Sequence, residues 1–275
     1  MRKHLIGAVM LAVASLGGGV ACAETVDLEL ILAADVSISV DNEEFRLQRE
    51  GYATAITSVP VLDAIRAGPH HAIAVSFVEW SGPSKQRVVA DWTVIRDGEM
   101  AAVFANILRT APRSFADATA IGSAIDFAMR QFDRSGVECD RRIIDVSGDG
   151  DSNSGRPVEY ARDDAVKAKV TINGLAIVNE HPLPGFIGHI QPVGGIGHYY
   201  RTRVAGGPGS FVFQIDSFDG FSEAIERKLV AEIASLEGRN FAGLALIQGE
   251  LICAREIDYF GGEEGSPRDP RAHGC

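Results

Sequence analysis

Basic charge is what this chain has least of: 26 Lys and Arg stand against 37 Asp and Glu, for a net charge of −11. A phosphate-binding surface needs a basic patch, so this balance argues against nucleic acid and anionic lipid as partners. Long apolar runs are scarce as well. Beyond residue 23 nothing approaches the ~18 uninterrupted apolar residues of a spanning helix, and no transmembrane segment is expected. The familiar catalytic wordings are missing. There is no Gly-x-Ser-x-Gly elbow, no His-Glu-x-x-His, no Gly-x-x-x-x-Gly-Lys and no Asp-x-Asp at the first strand end. No catalytic residue is therefore assigned. Gly194-Gly195-Ile196-Gly197 follows a proline-containing loop and not a strand, which makes it a poor dinucleotide fingerprint. Repeats and low-complexity tracts are absent too.

The amino end has the three parts of a secretory signal peptide: Arg2 and Lys3, the apolar stretch Leu5 to Leu16, and Ala21-Cys22-Ala23. Cleavage is expected after Ala23, which gives a periplasmic or secreted protein. Acylation of Cys22 is the weaker reading, because Gly19 stands where a lipobox has Leu. Losing residues 1–23 removes two basic residues and no acidic ones. The remaining ~250 residues suffice for one α/β domain with a full core. Its expected extent is 24–237, followed by a partly disordered extension over 238–275. Three cysteines remain in an oxidising compartment, so one pair and one leftover thiol are expected. Cys253 with Cys275 would staple the polar tail, leaving Cys139 beside a core strand as a small hydrophobe.

Asp35-Val36-Ser37-Ile38-Ser39 closes the apolar run Leu28 to Ala34. It places a carboxylate and two hydroxyls at a strand's carboxyl end. Such an oxygen-only cradle suits a hard cation, Mg²⁺ or Ca²⁺, better than zinc or copper. The rival reading makes the serines N-caps of the next helix, with Glu43 and Glu44 in its first turn. Those five residues barely separate the two readings, but two further segments favour the metal. Thr119 precedes the helical pattern Ile121, Ile125, Ala128, Met129, Phe132, and Asp149 stands at the tip of the run Arg142 to Gly148.

Asp-x-Ser-x-Ser, a separate Thr and a separate Asp, in this order, resemble the von Willebrand factor A fold and its metal-ion-dependent adhesion site. The resemblance covers roughly residues 26 to 235. On it, Asp35, Ser37, Ser39, Thr119 and Asp149 are the five metal-site positions, with no departure at any of them. Phe45-Arg46-Leu47-Gln48-Arg49-Glu50-Gly51-Tyr52, Val78-Glu79-Trp80, Ile144 to Gly150 and Asn173-Gly174-Leu175-Ala176-Ile177 further resemble a secreted bacterial family of such domains of unknown function.

Apolar runs alternating with helical patterns call for an α/β fold: a Rossmann-like open, mostly parallel sheet with helices on both faces. Strands are expected at 27–34, 72–79, 142–147, 170–178 and 211–215, with 86–92 as an antiparallel hairpin partner. Helices are expected at 42–58, 98–110, 120–134, 157–168 and 218–236, with a short helical turn near Val61 to Arg66. Followed up and down the sheet, this order brings all five metal candidates to one edge, the carboxyl edge where ligands of open parallel sheets bind.

Other motifs yield less. Asp149 to Gly155 imitates the start of an EF-hand loop, but Ser154 and Tyr160 stand where Gly and Glu are required. Asp151 and Asn153 read as turn residues, with a supporting role open to Asp151. The connection Asn179 to Gly197 carries His181 and His189 and borders His198, in no familiar zinc spacing. It should border the metal edge. Trp80 and Trp92 read as packing residues, with Trp80 the one able to rim the site. The resemblance implies that Ser37, Ser39 and Thr119 touch the ion while Asp35 and Asp149 act partly through water. Mg²⁺ fits best, with Mn²⁺ and Ca²⁺ as alternatives, and the ion keeps one position for an Asp or Glu carboxylate of a partner protein. The competing expectations are a metal-dependent hydrolase of the cell envelope and a structural envelope domain with a stabilising metal.

Overall fold

The computed structural model describes residues 23–178, 192–215 and 220–234. Residues 1–22, where a signal peptide is expected, 179–191 with His181 and His189, 216–219, and 235–275 with Cys253 and Cys275 lie outside them.

The centre is a six-stranded sheet. In chain order its strands are β2 (Leu28–Asp35), β3 (Ile73–Trp80), β4 (Gln86–Ile95), β6 (Arg142–Gly148), β7 (Val170–Ile177) and β8 (Val212–Ile215). In space they run β4-β3-β2-β6-β7-β8, parallel throughout except for the β3–β4 pair. Two three-residue strands, β1 (Glu24–Val26) and β5 (Val137–Cys139), form a separate parallel pair.

Every residue of β2 and β3 is buried, as expected of parallel strands covered on both faces. Their alternation decides which layer each side chain enters. Leu28, Leu30, Leu32 and Ala34 point into the layer of α1 (Asn42–Ile56), α2 (Val59–Ala67), α3 (Gly98–Thr110) and α7 (Phe221–Ile233). Ile31 and Ala33 enter the opposite layer of α4 (Ile121–Phe132) and α5 (Val158–Lys167). A short helix, α6 (Gly195–Tyr199), continues as a π-helical turn (Tyr200–Val204) and buries Ile196, Tyr200 and Val204 in that second layer. On the first layer, Tyr52 of α1 packs edge-on against Phe77 and Phe221, with ring centroids 5.2 and 5.3 Å away. Edge-to-face pairs of this kind add about 0.5–1.5 kcal/mol to simple burial.

Several expectations need correction. The serines after β2 do not cap α1. Asp41 does, accepting from the Glu43 and Glu44 amides at 2.7 and 2.8 Å while Glu44 returns a bond to the Asp41 amide. The turn near Val61 is a full nine-residue helix, since a proline within the first turn does not interrupt one. β4 runs three residues further than expected. Trp80 is fully buried and cannot rim an exposed site. Cys139 is the free thiol it was expected to be, but it is more than a small hydrophobe, since its Sγ donates to Glu29 at 3.0 Å. Among the described residues no helix is long and apolar enough to cross a membrane.

Candidate metal centre

β2 and β6 are parallel neighbours, so their carboxyl ends share an edge. Asp35 is the last residue of β2, and Asp149 follows the last residue of β6. The loop after β2 turns sharply, because the Ser37 amide donates to Asp35 Oδ1 at 2.7 Å. This aims both serines back across the edge. Ser37 Oγ and Ser39 Oγ lie 3.0 Å apart, and Ser39 Oγ donates to Asp149 Oδ1 at 2.8 Å.

Thr119 reaches the same edge from the segment before α4. Its amide donates to Asn153 Oδ1 at 3.0 Å, and its carbonyl accepts from the Asn153 and Ser154 amides at 2.9 and 3.2 Å. The turn that looked like a calcium loop is thus a clamp that holds Thr119 beside the Asp149–Gly150 corner. A Cβ on Gly150 would stand 3.9 Å from Thr119 Oγ1. All five predicted residues are at least nine-tenths buried and the structure brings them to one edge. Asp151 makes no contact that would give it the supporting role left open for it, and Asn153 fills that place.

The electrostatics of this group are unfavourable without a cation. Asp35 Oδ2 is buried and accepts no hydrogen bond. Burial first, and the Asp149 carboxylate second, push the Asp35 carboxyl well above its ordinary value. The Ser37 hydrogen bonds and the Arg113 charge only partly oppose them. The underside is closed by Tyr200 from the π-helical turn, whose hydroxyl is buried with no hydrogen-bond partner. Burial and the charges of Asp35 and Asp149 raise its pKa well above normal. Gly148 is required here, since a Cβ would lie 2.6 Å from Tyr200 Oη and 2.9 Å from Asp35 Oδ2.

Several supports escaped the sequence reading. Arg113 Nη2 lies 2.9 Å from each of the Val36, Ser37 and Val40 carbonyls, and Gln48 donates to the Asp35 carbonyl at 3.2 Å. Behind Arg113, Glu79 accepts from Arg49 at 2.6 Å and from the Ser114 amide at 2.9 Å. Gln48, Arg49 and Glu79 lie in stretches that carry the family resemblance, but nothing in those stretches tied them to the metal edge, and Arg113 lies in a part-exposed segment with no motif at all.

Residues 25–237 match the model of a family described as "Protein of unknown function (DUF1194)". The chain belongs to this family. The topology of this member matches the von Willebrand factor A fold. No curated protein matches the chain. Among solved structures, proximal thread matrix protein 1 of the mussel byssus is similar at TM-score 0.55 and 16% identity over 77% of this chain and 49% of that one. A form of the mussel protein described as having a zinc-occupied adhesion-site motif gives TM-score 0.54 and 18% identity over 76% of this chain and 48% of that one. A von Willebrand factor type A protein from Catenulispora acidiphila gives 0.51 and 18% over 76% and 43%. This DUF1194 chain therefore spans less than half the length of these proteins, and at such identity they establish the fold alone.

Proposed function

We propose that this protein is exported and recognises a partner protein through a divalent cation held by Asp35, Ser37, Ser39, Thr119 and Asp149. The observation that carries this reading is the buried pair of carboxylates at the edge, one of them with an unsatisfied oxygen, surrounded by three hydroxyls. Buried charge without compensation is costly, and a divalent ion neutralises it. The donor set fits the group: five oxygens and no sulfur or imidazole favour Mg²⁺, with Mn²⁺ and Ca²⁺ next.

Bound there, the ion would supply a Lewis-acidic position for an outside oxygen. The protein's residues do the rest. Ser37, Ser39 and Thr119 offer neutral donors, so two carboxylates carry all the negative charge and the ion stays attractive to a carboxylate from a partner. Asp35, fixed by the Ser37 amide, and Asp149, fixed by Ser39, hold the cradle in register. Residues 24–237 would form the recognition domain, with residues 1–23 as the export signal and 238–275 as an extension.

The test is affinity capture from envelope extract in Mg²⁺ and in EDTA, with wild type and Asp35→Ala. Recognition predicts partners retained only by wild type in Mg²⁺, each losing affinity when its contacting Asp or Glu is neutralised. Partners that persist in EDTA would reject the mechanism. Loss of stability in EDTA with no partner released would leave the metal a structural role.

A further inference from the structure

The opposite edge of the sheet holds a second convergence. Three segments enter the adjacent parallel strands β3, β2 and β6, and each carries a metal-binding side chain just before its strand begins: His70, Asp27 and Asp140. One donor atom from each, an imidazole nitrogen and two carboxylate oxygens, lies within 4.8 Å of the other two. His70 Nε2 and Asp140 Oδ2 are 3.4 Å apart. That is too long for a good hydrogen bond, but it is about the separation of two donors each ~2.0–2.2 Å from one tetrahedral ion.

Asp27 is the preorganised member. It is 6% exposed, and its carboxylate accepts from the His70 amide at 2.8 Å and the Ala72 amide at 3.3 Å. Gly68 makes room for it, since a Cβ there would stand 2.2 Å from Asp27 Oδ2. Each carboxylate oxygen keeps a lone pair beyond those bonds. Asp140 is held near by its amide, which donates to the Val26 carbonyl at 3.4 Å. No lysine or arginine among the described residues forms an ion pair with Asp27 or Asp140. His71 is not among these donors, and its Nδ1 is engaged by the Arg66 carbonyl at 2.6 Å.

We infer that Asp27, His70 and Asp140 form a second cation site, selective for a borderline divalent ion such as Zn²⁺, which ties together the segments entering the three central strands. The imidazole sets the selectivity, because nitrogen plus two carboxylates suits Zn²⁺, Co²⁺ or Ni²⁺ and not Mg²⁺ or Ca²⁺. Three protein ligands leave a fourth position to water. The two edges would thus take different metals by donor chemistry alone. This inference stands independently of the function proposed for the carboxyl edge.

The experiment is Zn²⁺ titration by calorimetry, with thermal unfolding alongside, on protein stripped with chelator. Asp149→Ala is the background, so that zinc at the carboxyl edge does not contribute, and Ser37→Ala replaces it if that variant fails to fold. The background protein is expected to bind one Zn²⁺ and to unfold at higher temperature with it. Adding His70→Ala or Asp140→Asn should abolish both effects while leaving the unfolding temperature of the stripped protein nearly unchanged, since both side chains are at least one-third exposed. A background protein that binds no Zn²⁺ overturns the site. So does a stoichiometry of one that survives His70→Ala or Asp140→Asn, because the zinc then sits elsewhere.

Discussion

Arg113 donates to the Ser37 carbonyl at 2.9 Å, and the same guanidinium nitrogen lies equally close to the carbonyls of Val36 and Val40. One side chain thereby fixes the whole loop that carries two of the candidate donors. Its own position is fixed in turn, since its guanidinium carbon packs 5.4 Å from the centre of the Phe45 ring, which also receives Arg49 at 5.2 Å. Arg113→Met should keep every candidate ligand and still lower Mg²⁺ affinity by roughly 10- to 100-fold, the usual cost of losing a residue that orients ligands. Arg113→Lys should recover only part of this, because its shorter side chain ends in a single nitrogen and loses the Nε–H bond to the Phe115 carbonyl at 3.2 Å. Calorimetry checks it, with circular dichroism to show that the fold is kept. Unchanged affinity in Arg113→Met would mean that the loop holds its shape unaided.

A second prediction follows from the proximity of Asp35 and Asp149. Both are buried, and the Asp149 carboxylate adds to the burial that raises the Asp35 carboxyl. Asp149→Asn keeps an acceptor for the Ser39 hydroxyl and removes one charge. The stripped variant should therefore be no less stable than stripped wild type, while its Mg²⁺ affinity falls more than tenfold, as roughly expected for losing a charged ligand. Thermal unfolding with and without Mg²⁺ separates the two effects. An equal rise in unfolding temperature for both proteins would place the bound ion somewhere else.

The sequence disclosed strands β2, β3, β6 and β7 because a strand buried on both faces is an uninterrupted apolar run. β1 and β5 were invisible: three residues each, with Glu24, Thr25 and Glu138 among them, carry no period to detect. The helix and π-helical turn over 195–204 fell in a stretch expected to be loop, partly because Gly194 and Gly195 adopt φ of 86° and 82°. Tertiary burial of Ile196, Tyr200 and Val204 outweighs local propensity there. The site shows the same division. Its five candidate donors were readable because their order along the chain resembles the adhesion-site pattern and they fall at turn and strand-tip positions. Arg113, Gln48, Asn153 and Tyr200 converge on those donors only through the fold. The group at the opposite edge comes from three unrelated connections, so no spacing could have announced it.

Cys139 gives a third prediction. Burial first, then its hydrogen bond to Glu29 and that residue's charge, raise the thiol to about 11. Relative to a thiol at its ordinary value of 9.0 this leaves roughly one-hundredth of the thiolate at pH 8, and the thiolate is the nucleophile. Alkylation of Cys139 in the folded protein should be about 100-fold slower than that of a free thiol. Glu29→Gln should speed it, by removing the charge that opposes ionisation. Rapid labelling in the native wild type, timed by mass spectrometry, would contradict the burial of this thiol.

The last prediction concerns a buried charge group beneath α7. Lys228, Asp145 and Glu232 are all essentially inaccessible to solvent. Lys228 Nζ is 2.6 Å from Asp145 Oδ1 and also pairs with Glu232, which accepts from Asn173 at 2.9 Å. One cation faces two carboxylates. Burial is the main cause that raises Glu232, from 4.5 to about 7. Lys228 opposes this, and Asp145 adds to the rise. Asp145 is itself raised, for the same first reason. A carboxyl raised on folding holds its proton more tightly in the native state than in the unfolded chain. Its stabilising contribution is fully present below about pH 4.5 and is lost as pH rises through about 7. Other raised groups, Asp35 among them, act in the same sense, so wild type must be read against Glu232→Gln, which keeps an acceptor and cannot titrate. Between pH 5 and pH 8 the variant should gain on wild type by on the order of 1–3 kcal/mol. Urea unfolding at the two pH values measures this difference. A difference that does not change with pH would mean that Glu232 keeps one charge state throughout, and that Lys228 alone balances both carboxylates beneath the helix.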